Sequence, residues 1–115
     1  MSYIKIRDSR MAYIDVDQTL IDWECSNKDL PLLLLKGPND ATNVQAIPVH
    51  IDLIKELRTV GWQIVVWSQG GADHAERVVK LLGIENLVDV IISKPTIYVD
   101  DLPFENQYIK RVFKL

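Results

Sequence analysis

Residues 11–20 read Met-Ala-Tyr-Ile-Asp-Val-Asp-Gln-Thr-Leu, an apolar run leading into two carboxylates one residue apart and then a hydroxyl. Residues 11–14 have the length and character of a buried strand. Asp, Gln and Thr all suit turns, so the strand ends at about Asp15, with Asp17 already in a loop that curls back. Two acids and Thr19 then stand at the carboxyl end of a strand, where open α/β sheets take their ligands. Read alone, a plain polar exit from a strand has the same composition.

Three later pieces add to it. Residues 65–68, Val-Val-Trp-Ser, end a second apolar run in a hydroxyl. Ser93-Lys94-Pro95 sets a lysine at the end of a third, and residues 98–101, Tyr-Val-Asp-Asp, end a fourth in paired carboxylates. In this order the four pieces resemble the haloacid dehalogenase (HAD) superfamily of phosphotransferases. Its members carry a DxDxT motif, a Ser or Thr after a second strand, a Lys, and acids after a later strand. Here these are Asp15, Asp17 and Thr19, then Ser68, Lys94, and Asp100 with Asp101. The resemblance spans residues 11–101, and four motifs in order are far more specific than any one. Gln18 stands where many members carry Gly, which bears on the detail of the loop.

The resemblance implies a small capless phosphomonoester hydrolase, Mg²⁺-dependent, that works through an aspartyl-phosphate. Asp15 would be the nucleophile, as carboxylates can be. Asp17 would protonate the leaving oxygen and then deprotonate the attacking water. Asp15, Asp17 (through its backbone carbonyl), Asp100 and Asp101 would hold the metal. Two carboxylates about 4 Å apart repel by several kcal/mol at an effective dielectric of about 20, so a hard cation such as Mg²⁺ suits them. Ser68, with the N–H groups of Gln69 and Gly70, would hold phosphate oxygens ahead of a helix. Lys94 would bind nucleophile and phosphoryl oxygens as a point charge, and Thr19 would fix the loop. Taken singly, Ser68 could begin a turn, Lys94 could be a surface lysine, and Asp100-Asp101 could cap a helix.

At 115 residues the chain is one domain's worth, spanning 1–115. Its longest unbroken apolar run, residues 32–35, is far too short for a bilayer, and no signal pattern opens it, so a cytoplasmic protein is expected. Cys25 is the single cysteine, which rules out an internal disulfide. A net charge of −3 argues against a nucleic-acid coat, leaving nucleic acid only as a phosphate-end substrate. The expected substrate is a phosphorylated metabolite, a nucleotide or a 3′-phosphate end. If exposed, residues 32–35 could form a homo-oligomer contact.

Along the chain, residues 2–7 alternate as a half-exposed strand, with a turn at 8–10 and the central strand at 11–15. Residues 22–47 lack clean periodicity and carry the breakers Gly37-Pro38-Asn39-Asp40, a compact excursion that the resemblance reads as a helical turn and a hairpin-like flap. Residues 48–60 and 73–82 have helical spacing, with Pro48 in a first turn and Gly61 and Gly83 as stops. Strands are expected at 63–67, 87–92 and 96–99, and a closing helix at 104–113. Strands alternating with helices specify a parallel sheet covered on both faces, a three-layer α/β/α Rossmann-like fold.

His50 and His74 lie in first helical turns, far in sequence from any acid that needs a partner, and read as surface or helix-face residues. Cys25 has no basic cluster to activate it. Trp23 follows the first motif and reads as packing under the flap, with stacking on a base or sugar as the alternative. Two rival classes share the architecture: a receiver-like phospho-accepting signalling domain and a non-catalytic binding module. A receiver places its acid pair after the first strand and Lys-Pro after the last; this chain has the adjacent acids last.

Overall fold

The computed structural model describes residues 2–7, 10–103 and 111–112. In chain order it forms β1 (Met11–Ile14), β2 (Ile21–Asp22), β3 (Leu33–Lys36), β4 (Ala41–Ala46), α1 (Pro48–Thr59), β5 (Gln63–Ser68), α2 (Ala72–Leu82), a 3₁₀ turn (Glu85–Leu87) and β6 (Val90–Ser93).

Ile64, Val65 and Val66 in succession are buried, so β5 is covered on both faces, as the middle strand of a covered parallel sheet must be. It pairs in parallel with β1 on one side and β6 on the other, in the order β1-β5-β6. The expectation that residues 11–15 form the central strand is therefore corrected. β1 stands beside the centre because Tyr13 is half exposed, whereas β5 carries apolar residues on both faces. The register sets Ile14 opposite Val66 and Ser68 opposite Ser93. The next residues, Asp15 and Lys94, consequently emerge at the same edge of the sheet as Ser68.

Helix α1 opens on Pro48, whose missing N–H costs nothing at that position. It packs against β5 and buries Ile54. Helix α2 buries Ala75, Val78 and Val79 and packs on β5, β6 and β3. Gly83 ends it in the left-handed region, φ 67°, with the N–H groups of Gly83 and Ile84 closing on the carbonyls of Lys80 and Val79. Fully burying a branched aliphatic side chain contributes about 1.5–3 kcal/mol, against about 0–1 kcal/mol for an exposed ion pair. Stability therefore resides in Val16, Leu20, Ile21, Val44, Ile54, Ile64, Val66 and Val78, all inaccessible to solvent.

The excursion is a second, antiparallel sheet in the order β2-β4-β3. Its β3–β4 hairpin reverses across the breakers, where the Gly37 N–H bonds the Asp40 carbonyl at 2.9 Å. Along β3 Leu33 and Leu35 turn inward while Leu34 is exposed, as is Leu32 just before it, so most of the leucine run alternates as a strand. Gln45 on β4 is buried and anchors the preceding loop. Its Oε1 accepts the Asn27 N–H at 3.1 Å, and its Nε2 donates to the carbonyls of Asn27 (2.6 Å) and Leu30 (3.0 Å). At the amino edge of the parallel sheet, Asp89 Oδ2 accepts the Ile64 N–H at 2.7 Å and pairs with Arg58 at 2.9 Å, tying α1 to both strands.

Three expected elements differ. Residues 2–7 and 96–99 form no strand; Ile4 is 95% and Val99 96% exposed. Neither run joins a strand ladder among the described residues, and a strand's backbone groups are satisfied only in one. The strand expected at 87–92 starts at Val90, because the Leu87 N–H closes a tight turn on the Ile84 carbonyl and pairing begins with the Asp89 N–H on the Ile64 carbonyl. The closing helix, apart from residues 111–112, lies outside the described residues. Among those described, no helix is long and apolar enough to cross a membrane. The Gln45 anchor gives a test of this packing: Gln45→Leu strips partners from one N–H and two carbonyls, and urea unfolding should register a loss of about 1–3 kcal/mol.

Candidate active site

Beyond Ile14 the chain leaves the sheet and folds back on itself. Val16 is buried, and its carbonyl accepts the N–H groups of Thr19 (3.2 Å), Leu20 (2.8 Å) and Ile21 (3.3 Å). The tight turn needs Gln18 at φ 59°, the left-handed region that glycine enters freely and other residues enter at about 1–2 kcal/mol. Gln18 offsets this with its side chain: Oε1 accepts the Trp23 N–H at 2.7 Å and Nε2 reaches Asp22 at 3.3 Å. On the other side of the loop, His50 is buried, and its Nδ1–H donates to the Thr19 carbonyl at 2.7 Å. Of the surface and helix-face readings of His50, the surface one is corrected; it clamps the loop from α1.

The loop delivers its two carboxylates to different partners. Asp15, about a third exposed, has Oδ1 2.9 Å from Lys94 Nζ and Oδ2 3.0 Å from the donating Thr19 hydroxyl. Lys94 is positioned by its own N–H, which bonds the Ser68 carbonyl at 2.9 Å and carries the β5–β6 ladder one residue further. Its ammonium stands 5.7 Å from the centre of the Trp67 ring, a favourable cation–π approach. Asp17 directs Oδ1 to two donors, His74 Nε2 at 2.9 Å and the Trp23 indole N–H at 3.0 Å. The two rings lie nearly parallel, 17° apart with centroids 6.1 Å apart. His74, read from sequence as far from any acid that needs a partner, is thus a direct partner of Asp17. The available signal was its place in the first turn of the helix that follows Ser68, since that turn starts at the carboxyl edge of the sheet.

Ser68 is fully buried, and its Oγ accepts the Gly70 N–H at 2.9 Å. That N–H, expected to meet a phosphate, is turned to Ser68. Gln69 is exposed at the same turn. Gly71, at φ 101°, precedes α2, and the Ala72 N–H bonds Ser93 Oγ at 3.0 Å, fixing the helix start against β6.

Asp100 and Asp101 lie on the exposed segment beyond β6. Asp100 Oδ1 accepts the Leu102 N–H at 3.1 Å; this bond, with others from Asp101, holds its carboxyl below the usual range. Among the described residues no group of three or more His, Cys, Asp or Glu stands close enough to hold a metal ion. Asp15, Asp17, Asp100 and Asp101 therefore do not form a shared oxygen set in this arrangement, and it does not supply the carboxylate cluster that a hard dication requires.

Asp22 was not singled out in the sequence, yet it organises the turn that presents Trp23. Its oxygens accept the Ser26 hydroxyl (2.6 Å) and the N–H groups of Ser26 (3.0 Å) and Glu24 (2.9 Å). Led by the Ser26 hydroxyl, these bonds lower its pKa from 3.8 to about 2.

Compared with protein-family models, characterised proteins and solved structures, the chain matches none. The Asp22 turn carries a pH prediction of its own. A depressed carboxylate stabilises the fold above its unfolded pKa, and that contribution is lost as pH falls through the folded one. Protection factors of the Glu24 and Ser26 amides, corrected for intrinsic exchange, should be full above about pH 4 and fall as pH drops toward about 2, and Asp22→Asn should abolish this dependence.

Proposed function

We propose that this protein is a phosphomonoester hydrolase that acts through an aspartyl-phosphate on Asp15. The observation that carries the reading is the convergence of Asp15 with Lys94 at 2.9 Å and Thr19 at 3.0 Å, at one sheet edge beside Ser68. The order of the motifs, which resembles that of the haloacid dehalogenase superfamily, adds support. Uncatalysed phosphate monoester hydrolysis is extremely slow, so catalysis must align a nucleophile and neutralise the transferring group. Asp15 Oδ1 or Oδ2 attacks phosphorus, and the leaving oxygen takes a proton from Asp17. Asp17 then accepts a proton from water, whose oxygen attacks the acyl phosphate, releasing inorganic phosphate and restoring the Asp15 carboxylate. Lys94 offsets charge on the phosphoryl oxygens, and Ser68 donates a hydrogen bond from its hydroxyl to one of them. With Asp17 Oδ1 engaged by His74 and Trp23, Oδ2 is the oxygen that carries the proton.

The finer fold reading is a three-layer α/β/α Rossmann-like sheet. In its favour, β1 pairs only with β5 among the described strands, so its outer edge is open to residues 96–99. Pairing there would bring Asp100 and Asp101 toward Asp15, and these carboxylates would then hold a magnesium ion that offsets charge on the phosphoryl group.

Aryl phosphate hydrolysis should fall roughly a thousandfold in Asp15→Asn and roughly a hundredfold in Lys94→Met. Lys94→Met should nonetheless change unfolding free energy by less than about 1 kcal/mol, since its ion pair is partly exposed. Full turnover in Asp15→Asn would remove the covalent mechanism. The same assay with and without EDTA reads the magnesium requirement: loss of activity in EDTA, restored by Mg²⁺, is the expected outcome.

A further inference from the structure

A cleft of about 180 Å³ opens between the tip of the β3–β4 hairpin and the first turns of α2. Trp23, His74, Arg77, Asp40, Thr42 and Leu35 are among its walls. Trp23 and His74 are the two residues whose N–H groups hold Asp17 Oδ1. The two side chains that hold Asp17 are therefore also walls of the cleft, which sets the cleft beside Asp17.

We infer that the cleft is the leaving-group subsite and that it takes a single polyhydroxylated ring, the sugar of a pentose or hexose monophosphate. This rests on the reading of Asp17 as proton donor. Size sets the first limit, because a cavity of about 150 Å³ accommodates one benzene ring. This volume matches one ring more closely than a base together with its ribose. Chemistry sets the second. An apolar ring would desolvate Asp40 and Arg77 without replacing their hydrogen bonds. A second anionic group would meet the Asp40 carboxylate. A sugar ring offers donors to Asp40, acceptors to Arg77, either to Thr42, and an apolar face to the Trp23 indole.

Calorimetric titration of Asp15→Asn protein in magnesium-containing buffer tests the inference. Hexose and pentose monophosphates should bind at least about tenfold more tightly than inorganic phosphate, and more tightly than a nucleoside monophosphate. Asp40→Asn and Arg77→Met, both on exposed or half-exposed positions, should each remove roughly tenfold of that affinity and leave inorganic phosphate binding unchanged. Equal binding of phosphate and sugar phosphates, preferred binding of the nucleotide, no binding at all, or indifference to both substitutions overturns the subsite. Selective binding with no turnover of any phosphate ester by the native chain sinks the hydrolase reading and leaves the subsite standing. Aryl phosphate turnover without selective sugar phosphate binding does the reverse.

Discussion

The ion pair between Lys94 and Asp15 is the contact through which the rest of the molecule is best understood. It adds little to stability, since both side chains are about a third exposed and such pairs contribute about 0–1 kcal/mol. Its importance is geometric. The two residues are 79 positions apart in the chain and meet only because β1 and β6 flank β5 in parallel with a fixed register. A slip of one residue in either ladder would turn the side chain to the opposite face. The burial of Ile64, Val65 and Val66 holds that register, so core packing is what places the charges.

A second constraint lies in the turn after β1. Three N–H groups converge on the Val16 carbonyl, Gln18 takes a left-handed conformation, and His50 closes the far side. The turn separates two acids that are neighbours in sequence into different surroundings. Asp15 faces an ammonium and a hydroxyl, and Asp17 faces an imidazole and an indole. Two carboxylates with distinct partners can take distinct roles in one reaction, which identical surroundings would not permit. Because the loop is anchored in buried Val16, Leu20 and Ile21, it has the rigidity that a reactive site on a loop requires.

Much of the helical and strand content was legible in local pattern. Pro48 and Gly61 bracket α1, Gly83 ends α2, and the apolar run of β5 announces a buried strand. The exposure of residues 96–99 was not legible, because an apolar run becomes a strand only where a neighbouring edge accepts its hydrogen bonds. Nor was the excursion's second sheet, whose pairing depends on contacts between residues 21–22, 33–36 and 41–46 rather than on periodicity within any of them. At the site, Asp15, Asp17 and Lys94 stood out as strand-end residues in a specific order. His74, Arg77 and Asp22 did not, since a histidine or arginine on a helix and an aspartate in a turn are ordinary occurrences.

What the chain's letters decide by themselves is which residue types end each apolar run, because hydrophobic periodicity and the glycine and proline stops act over a few neighbouring positions. Which strand is central, which acid meets the lysine and which meets the histidine, and what the hairpin covers are settled only in three dimensions. Those outcomes follow from long-range pairing and from the side on which each crossover returns, and no local preference encodes them. The separation is physical: propensity and capping act within a turn of chain, whereas register and proximity of charges come from buried surface shared by segments far apart in sequence.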